Sequence, residues 1–234
     1  MRFQKEAYFT IPKWEEMPFL VHGFGDKNWQ FTHFQEHPQL RHFKVVFLHQ
    51  IHSDILHIVD EVPRGVLSGD ALLTVRSGIL LVIKTADCLP VLIVDPQTKA
   101  VAAIHCGWRS IVKMLVRKVV QSLEAYFRSD PASLLVALGP CIGKDCYEVG
   151  EDVREVFDKR GLATGVFDAH PRHPGKYYLD LRLATTKQLL EGGVKSRHIS
   201  LIDLCTHCDE NLFSCRRCPE NEGRMLSFIG KSSL

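Results

Sequence analysis

Residues 79–94 read ILLVIKTADCLPVLIV, and this stretch decides how the chain of 234 residues is expected to fold. The run is apolar at both ends, but Lys84, Asp87 and Pro90 interrupt it. It is therefore too broken to cross a bilayer, which takes about 20 consecutive apolar residues. Short apolar runs on either side of a polar turn are typical of buried strands. We expect two buried strands here, with Cys88 in the turn between them.

The chain then continues into a third strand and a long helix. Val101–His105 is a further apolar run that predicts a strand. From Ile111 to Phe127, apolar residues recur every three or four positions, with polar residues between them. This period predicts one amphipathic helix that begins at Trp108 and ends before Asp130-Pro131.

Further strands and helices are predicted on both sides of this segment. The other expected strands are Lys44–His49, Leu56–Val59, Leu134–Leu138, Ile199–Leu204 and Met225–Ile229. Helices are expected over Glu151–Lys159 and over Leu181–Leu190, the second being stopped by Gly192-Gly193. Because strands and helices do not alternate strictly, we expect α+β layers rather than a doubly wound sheet.

Composition narrows the class of protein. Hydrophobic residues make up 45% and charged residues 24%, which is typical of a soluble globular protein. The formal net charge of +2 gives no broad basic field, so nucleic acid is not an expected partner. The first residues contain no apolar run typical of a signal peptide, and we expect no membrane association. Eight cysteines without an export signal favour a reducing compartment, so we expect a cytoplasmic protein.

Three residues form a candidate metal site: His52, Cys88 and His105. Each is expected at a strand end or in a turn, where a scaffold holds ligands rigidly and leaves access for a substrate. Two imidazoles and one thiolate leave a fourth coordination position open, which distinguishes a catalytic zinc from a structural one. Taken singly, a cysteine or histidine among apolar residues is more often a core residue. His49 and His57 are rivals to His52, and spacing alone does not choose among them.

A second candidate feature follows His105 directly. Gly107-Trp108-Arg109 opens the predicted long helix. Backbone N–H groups at a helix start, together with a guanidinium, favour an anion such as phosphate. Arg109 is therefore the candidate phosphate ligand, with Arg182, Arg216 and Arg224 as further candidates.

Several motifs occur in an order that resembles a known family. They include HQIHS (49–53), DALLT (70–74), TADCLPV (85–91), IHCGWR (104–109), LGPCIG (138–143), CYEV (146–149), DLR (180–182) and a closing RR (216–217) and GRM (223–225). Together they resemble the bacterial YfiH/YlmD type of the laccase-domain family, which is also called the multicopper polyphenol oxidase or purine nucleoside phosphorylase family. The resemblance runs from His22-Gly23-Phe24 to Ile229.

The resemblance implies a fold, a ligand set and an activity. The implied fold is a single compact α+β domain over residues 1–234, a CNF-toxin/YfiH-like sandwich of mixed β-sheets layered with helices. The implied metal ligands are His52, Cys88 and His105, which leaves His49 and His57 as packing or supporting residues. The implied activities are phosphorolysis of adenosine, inosine, guanosine and methylthioadenosine, and deamination of adenosine. Purine nucleosides and inorganic phosphate are the expected partners of a monomer or small homo-oligomer, and Cys88, His105 and Arg109 are the expected catalytic residues.

The sequence departs from the family in two places. After His22-Gly23-Phe24 the glycine-rich segment is shortened and reads Asp26-Lys27-Asn28-Trp29. Near the end, Cys205, Cys208, Cys215 and Cys218 form two C-x2-C pairs separated by six residues. Paired C-x2-C motifs are typical of structural zinc, although the usual separation is about 15–20 residues. These four cysteines are therefore a candidate second metal site, and free thiols under a surface turn are the alternative.

Two other activities compete with the zinc-dependent nucleoside enzyme. One thiolate and two imidazoles also suit copper, so oxidation of phenols is the first alternative. A multicopper centre needs further paired histidines, and the remaining ones show no H-x-H spacing. The second alternative is a thiol hydrolase with Cys88 as nucleophile and His105 as base. An amidohydrolase that corrects cell-wall precursors is a related possibility within the family.

Overall fold

The computed structural model describes residues 7–232, in which two six-stranded mixed sheets pack face to face. The strand order is β1-β2-β15-β7-β3-β5 in the first sheet and β14-β10-β8-β9-β6-β4 in the second. A small third sheet has the order β11-β13-β12. The strands are β1 (Tyr8–Phe9), β2 (Leu20–Gly25), β3 (Lys44–His49), β4 (Leu56–Ile58), β5 (Leu67–Ser68), β6 (Ala71–Thr74), β7 (Ile79–Thr85), β8 (Leu89–Val94), β9 (Val101–Cys106), β10 (Leu135–Leu138), β11 (Glu148–Gly150), β12 (Phe167–Ala169), β13 (Lys176–Leu179), β14 (Ile199–Leu201) and β15 (Met225–Lys231).

Five helices flank the sheets within the described residues. They are α1 (Phe31–Glu36), α2 (Trp108–Val112), α3 (Leu115–Phe127), α4 (Glu151–Asp158) and α5 (Leu181–Glu191). The class is therefore α+β, with mixed sheets layered with helices, as the sequence predicts.

Successive side chains of β7 point to opposite faces of the first sheet, and each face packs against a different layer. Leu81 and Ile83 point between the two large sheets and pack with residues of β8 and β9. Leu80 and Val82 point the other way, into a cluster with α1. Both faces of the strand are apolar because both are covered, so the run Ile79–Thr85 contains no polar residue until Lys84. The outer face of the second sheet is covered in turn by α2, α3 and α5.

The predicted strands in the centre of the fold are confirmed. The turn after β7 carries Ala86, Asp87 and Cys88, and β8 then pairs antiparallel with β9. In that register Pro90 lies opposite His105. The two-strand interpretation of residues 79–94 therefore places Cys88 beside the end of β9.

The predicted continuous helix from Trp108 is wrong in one respect. The structure divides it into α2 and α3, because Met114 adopts a left-handed backbone with φ of 62°. The Ile111 carbonyl accepts hydrogen bonds from the Met114 N–H at 2.9 Å and from the buried Gln188 side chain of α5 at 2.7 Å. The buried Gln188 amide thus adds a second donor to a carbonyl at the break, which stabilises it.

Candidate metal centre

The three predicted ligands come together where the two large sheets end. His52 lies in the loop after β3, Cys88 in the turn between β7 and β8, and His105 near the end of β9. His52 Nε2 lies 3.9 Å from Cys88 Sγ, and the two imidazole rings lie 4.8 Å apart between centroids. One ligand atom of each residue lies within 4.8 Å of the others. The fold thus assembles two imidazoles and one thiol in one group.

A fully buried carboxylate, Asp70, ties the loop of His52 to the strand of His105. Its Oδ1 accepts hydrogen bonds from the His52 N–H at 3.0 Å and from His105 Nδ1 at 2.7 Å. Its Oδ2 accepts from the N–H and the hydroxyl of Ser53, both at 2.6 Å. Burial raises the pKa of Asp70, but the hydrogen bonds from His105 and Ser53 outweigh it and lower the pKa to about 2. The ionised carboxylate keeps the proton of His105 on Nδ1 and leaves Nε2 for a metal.

Cys88 and His105 stabilise each other's charged forms. Burial opposes ionisation of the Cys88 thiol, but the charge of His105 and hydrogen bonds from His105 and His52 lower its pKa to about 6. Burial likewise opposes protonation of His105, while the charge of Cys88 and the Asp70 hydrogen bond raise its pKa to about 9. The thiolate is the form of cysteine that binds metals and attacks electrophiles. The site therefore favours a reactive thiolate near neutral pH.

Left-handed backbone at two positions directs the ligands toward each other. His52 has φ of 55° and Asp87, directly before Cys88, has φ of 85°. Non-glycine residues adopt such angles rarely, and they cluster at functional sites. Gly107 leaves room beside them, since a Cβ there would lie 2.9 Å from His52 Cδ2 and 3.1 Å from Cys88 Sγ. A larger residue at 107 would therefore crowd the candidate metal ligands His52 and Cys88.

The three ligands lie at the base of a cavity of about 770 Å³. Its wall is built from segments that lie far apart in the sequence. The lining residues are His49, Gln50, His52, Lys84, Thr85, Ala86, Asp87, Cys88, His105, Tyr147, Cys215, Arg216, Pro219, Glu222 and Arg224. This volume lies within the range of small-molecule sites. His57, the other rival of His52, is not in this wall, and its Nε2 contacts the Ser68 carbonyl at 2.8 Å.

Three cationic side chains line the cavity, and Arg109 is not one of them. The lining cations are Lys84, Arg216 and Arg224. The Arg109 guanidinium is exposed and lies 4.4 Å from the centroid of the Trp108 ring. The helix that Arg109 was expected to open is also the short α2. The structure therefore offers Arg216 and Arg224, rather than Arg109, for an anion in the cavity.

Arg182, the remaining candidate, does not line the cavity. Its Nη1 donates to Asp203 Oδ1 and its Nη2 to the Leu204 carbonyl, both at 2.5 Å. Those contacts attach α5 to the segment after β14, so Arg182 supports the fold around the site.

Asp87 organises the wall of the cavity beside Cys88. Its carboxylate accepts a hydrogen bond from the Thr206 hydroxyl at 2.7 Å and one from the Arg216 N–H at 2.7 Å. Its backbone carbonyl accepts from the Ile142 N–H at 2.9 Å. Three segments distant in sequence thus converge on the residue next to Cys88. Sequence reasoning marked Asp87 as a polar turn residue and Asp70 as part of a motif, but neither role could be read from local pattern.

The four-cysteine group expected at Cys205, Cys208, Cys215 and Cys218 is not assembled. Cys205 and Cys208 lie instead with Cys146, all three Sγ atoms being within 4.8 Å of one another. Cys215 lines the metal cavity, and Cys218 Sγ lies 3.6 Å from Glu220 Oε2. The physical reason is that the Arg216 N–H is bound to Asp87, which directs the second C-x2-C pair toward the cavity. This expectation is therefore corrected.

A third group of possible ligands lies on the small sheet. Glu148, His170 and His173 have one ligand atom each within 4.8 Å of the others, and the two imidazole rings stack with centroids 4.2 Å apart. The group is partly exposed, and Lys176 Nζ lies 3.9 Å from Glu148 Oε1. The cation next to it reduces the attraction for a metal ion.

None of the helices within residues 7–232 is long and apolar enough to cross a bilayer.

Comparison with known proteins agrees with the motif resemblance. A family model described as multi-copper polyphenol oxidoreductase laccase matches residues 27–232. A purine nucleoside phosphorylase of Bacteroides thetaiotaomicron is 40% identical over 162 residues, which are 68% of this chain and 60% of that protein. A protein named adenosine deaminase RL5, from an unknown prokaryotic organism, is 34% identical over 197 residues, or 79% of this chain and 74% of that protein.

The fold is shared with a solved structure. The crystal structure of YlmD from Geobacillus stearothermophilus matches with a TM-score of 0.88 at 26% sequence identity, covering 99% of this chain and 98% of that one. The sequence identity is low and the superposition is extensive, so the sandwich arrangement is the common property.

Proposed function

The chain belongs to the laccase-domain family of multi-copper polyphenol oxidoreductases, and from this premise we propose that it is a metal-dependent enzyme acting on purine nucleosides. The proposed reactions are phosphorolysis, in which phosphate replaces the base at the ribose C1′, and hydrolytic deamination of adenosine to inosine and ammonia. The group of His52, Cys88 and His105 at the base of a cavity of about 770 Å³ carries the proposal. The relatives named purine nucleoside phosphorylase and adenosine deaminase supply the substrate class. We also propose that residues 1–234 form one such domain, and that the enzyme works in the reducing cytoplasm.

We propose Zn²⁺ as the metal, held by His52, Cys88 and His105. Imidazole nitrogen and thiolate sulfur are zinc ligands, three protein ligands are the number found in catalytic zinc sites, and all three of these residues line the cavity. The fit is supported by the buried Asp70, whose hydrogen bond at 2.7 Å fixes the Nδ1 proton of His105. When bound, Zn²⁺ with an open position supplies a water nucleophile at neutral pH.

The chain's own residues would bind and orient the substrate. Arg216 and Arg224 provide positive charge for phosphate at the cavity wall. Tyr147 lies in the same wall, where burial raises the pKa of its phenol well above the usual value. The phenol therefore stays protonated and can donate a hydrogen bond to a polar atom of the substrate.

The proposal is tested by giving adenosine to the zinc-loaded protein with and without phosphate. We expect inosine in both cases, and adenine and ribose 1-phosphate only when phosphate is present. Cys88→Ala should lose the metal held with His52 and His105 and both activities, whereas Cys218→Ala removes an exposed thiol outside the cavity lining and should lose neither. A Cys88→Ala protein that keeps its metal and its turnover contradicts the assignment.

Arg216 and Arg109 can be separated by kinetics. We expect Arg216→Met to raise the KM for phosphate at least tenfold, because a charge-assisted contact contributes about 1.5–3 kcal/mol. Deamination, which uses no phosphate, should change less than threefold. If Arg109→Met raises the KM for phosphate instead, the expectation from the sequence is right and the assignment to Arg216 is wrong.

Copper-dependent oxidation of phenols is the second candidate function. The description of the family and the one-thiolate, two-imidazole set both favour it as the alternative. Copper bound to a thiolate absorbs visible light, whereas zinc is colourless. A coloured protein that oxidises phenols and ignores nucleosides would establish this function in place of the first.

A thiol hydrolase, including one that acts on cell-wall amides, is the remaining alternative. The lowered pKa of Cys88, to about 6, next to the raised pKa of His105 supports it, because this is the pairing of a thiol nucleophile with its base. A chelator distinguishes the thiol mechanism from the metal-dependent one. Activity that survives EDTA and is lost to iodoacetamide would favour the thiol mechanism.

A further inference from the structure

Three cysteines from two loops meet on the side of the fold next to the metal cavity. Cys146 ends a single helical turn at Lys144–Cys146, directly before the cavity residue Tyr147. Cys205 and Cys208 lie in the tight turn that follows β14. An isolated bridge between Cys141 and Cys205 joins the two loops through the backbone. The three thiols therefore lie on a fixed scaffold rather than on independent surface segments.

The spacing of the sulfur atoms suits a tetrahedral metal ion. Cys146 Sγ lies 3.4 Å from Cys208 Sγ, and all three Sγ atoms lie within 4.8 Å of one another. A zinc–sulfur bond of about 2.3 Å in a tetrahedron places neighbouring sulfur atoms about 3.8 Å apart. The observed 3.4 Å is slightly shorter than this value, and the 4.8 Å limit on the other pairs lies about 1 Å above it. Small side-chain rotations would therefore bring the three atoms into position.

The backbone around Cys205 is arranged for a thiolate. The Gly143 N–H donates a hydrogen bond to Cys205 Sγ at 3.1 Å. The Cys205 carbonyl accepts from the Cys208 and Asp209 N–H groups at 3.2 and 2.9 Å, which forms the compact turn of a C-x2-C pair. A Cβ at Gly143 would lie 3.2 Å from Cys205 Sγ, so the glycine allows this close approach. Donors directed at sulfur stabilise the ionised form that a metal requires.

We propose that Cys146, Cys205 and Cys208 bind a second Zn²⁺, with a solvent water in the fourth position. Cys208 is exposed, so the fourth position faces solvent. Each thiol that binds releases its proton to the buffer, and no oxidation is involved. A disulfide between Cys146 and Cys208 would use two of the thiols and leave the directed Cys205 without a role. A three-thiolate site uses all of them.

The proposed zinc would brace the loops that surround Cys88. Ile142, four residues before Cys146, donates its N–H to the Asp87 carbonyl at 2.9 Å. Thr206, between Cys205 and Cys208, donates its hydroxyl to the Asp87 carboxylate at 2.7 Å. Both loops thus contact the residue next to Cys88. The second zinc would hold these loops in place from outside the cavity, and its presence does not depend on which substrate the cavity binds.

The test is elemental analysis of the full-length protein after loading with Zn²⁺ under reducing, oxygen-free conditions. We expect two zinc ions per chain in the unaltered protein and one in Cys146→Ser, Cys208→Ser and Cys88→Ala. The double variant Cys88→Ala/Cys208→Ser should bind none. Cys218→Ser is the matched control, because Cys218 is an exposed cysteine that lies outside the group. It should keep two ions.

Cobalt substitution gives a second readout that reports the number of thiolates. With Co²⁺ in place of Zn²⁺, Cys88→Ala keeps only the site with three thiolates, and Cys208→Ser keeps only the site with the single thiolate of Cys88. The sulfur-to-metal absorption of Cys88→Ala should therefore be about three times that of Cys208→Ser. If Cys146→Ser fails to fold, Cys146→His keeps a zinc ligand and should restore both folding and the second ion. The proposal is overturned by any of three results. These are no zinc in Cys88→Ala, which keeps all three cysteines, an unchanged zinc content in Cys146→Ser and Cys208→Ser, or the loss of two free thiols to a disulfide in the protein as purified.

Discussion

Replacing Asp70 by asparagine removes one acceptor from the centre of the proposed catalytic site. The carboxylate of Asp70 accepts from the N–H of His52, Nδ1 of His105, and the N–H and hydroxyl of Ser53, at 2.6 to 3.0 Å. Asparagine has almost the same shape but carries one oxygen and one NH₂ group. The NH₂ group must therefore face either the donors of Ser53 or those of His52 and His105.

Either orientation damages the site. If the NH₂ group faces Ser53, the buried Ser53 N–H loses its acceptor, at a cost of about 1–3 kcal/mol. If it faces His105, the histidine must accept on Nδ1 and carry its proton on Nε2, which blocks the nitrogen proposed for zinc. In both cases the remaining hydrogen bonds lose their ionic character and weaken by about 1 kcal/mol each. We expect a loss of about 3–5 kcal/mol in the free energy of unfolding.

The zinc affinity should fall at the same time. Removing the hydrogen-bond partner of a ligating histidine typically weakens metal binding 10- to 100-fold. The free energy of unfolding is measured by urea denaturation of the metal-free protein, where 3–5 kcal/mol corresponds to a fall in Tm of about 6–20 °C for a chain of this size. The affinity is measured by competition with a coloured zinc chelator.

Asp54→Asn is the matched control. Asp54 lies in the loop of His52 and Ser53, is partly exposed and forms an ion pair with Lys118. Surface ion pairs contribute about 0–1 kcal/mol, so this variant should unfold and bind zinc almost as the unaltered protein does. The reasoning is refuted if Asp70→Asn stays within 1 kcal/mol in stability and within threefold in zinc affinity, or if Asp54→Asn matches its losses.

Two further predictions concern parts of the fold away from the metal. The pKa of His22 is lowered to about 4, mainly by burial, while its Nε2 accepts a hydrogen bond from the Ile11 N–H. Because the unfolded chain takes up this proton near pH 6.5 and the folded one only near pH 4, stability should fall as the pH drops through that window, by up to about 3 kcal/mol. His22→Gln should remove this part of the dependence in urea denaturation at pH 7 and 4.5, and parallel curves for both proteins would exclude His22 as its source. Gly139→Ala should destabilise by about 1–3 kcal/mol, since its Cβ would lie 2.3 Å from Phe24 Cδ1. Gly65→Ala, with no atom within 4 Å of its Cβ, should leave the Tm within about 2 °C, and equal Tm values for the two variants would contradict the packing argument.

The sequence predicted the centre of the fold because its information there is local. Buried strands such as β7 and β8 are continuous apolar runs, and the polar turn between them is visible as Lys84, Asp87 and Pro90. The three-strand third sheet was missed for the opposite reason. Its strands are three or four residues long and largely exposed, so they show neither apolar runs nor clear alternation.

Features that depend on distant partners could not be predicted. The break at Met114 interrupts a regular helical pattern. Gln188, whose side chain donates to the Ile111 carbonyl beside the break, lies 77 residues from Ile111 along the chain. Local periodicity therefore predicts a helix through the break. Likewise, spacing grouped Cys205 and Cys208 with the nearest pair in sequence, whereas Cys146 lies 62 residues from Cys208 and 3.4 Å from its sulfur.

Asp87 contacts both loops of the proposed second zinc site and directly precedes Cys88 of the first. Its carbonyl is bound by the loop before Cys146, its carboxylate by the loop of Cys205 and Cys208, and its backbone continues directly into Cys88. A zinc ion that holds the two loops together would therefore restrict the turn that presents the Cys88 thiolate. Restricting that turn in the metal-binding geometry lowers the entropy lost when the first zinc binds. Linkage then makes the effect reciprocal, so that zinc at Cys88 strengthens binding at the three cysteines by the same factor. Typical coupling energies are about 1–3 kcal/mol, or 5- to 150-fold in affinity. Removing one site should therefore weaken zinc binding at the other by about this factor. Equal affinities of His52, Cys88 and His105 for zinc in the unaltered protein and in Cys208→Ser would mean that Asp87 positions the turn without transmitting the second site's occupancy.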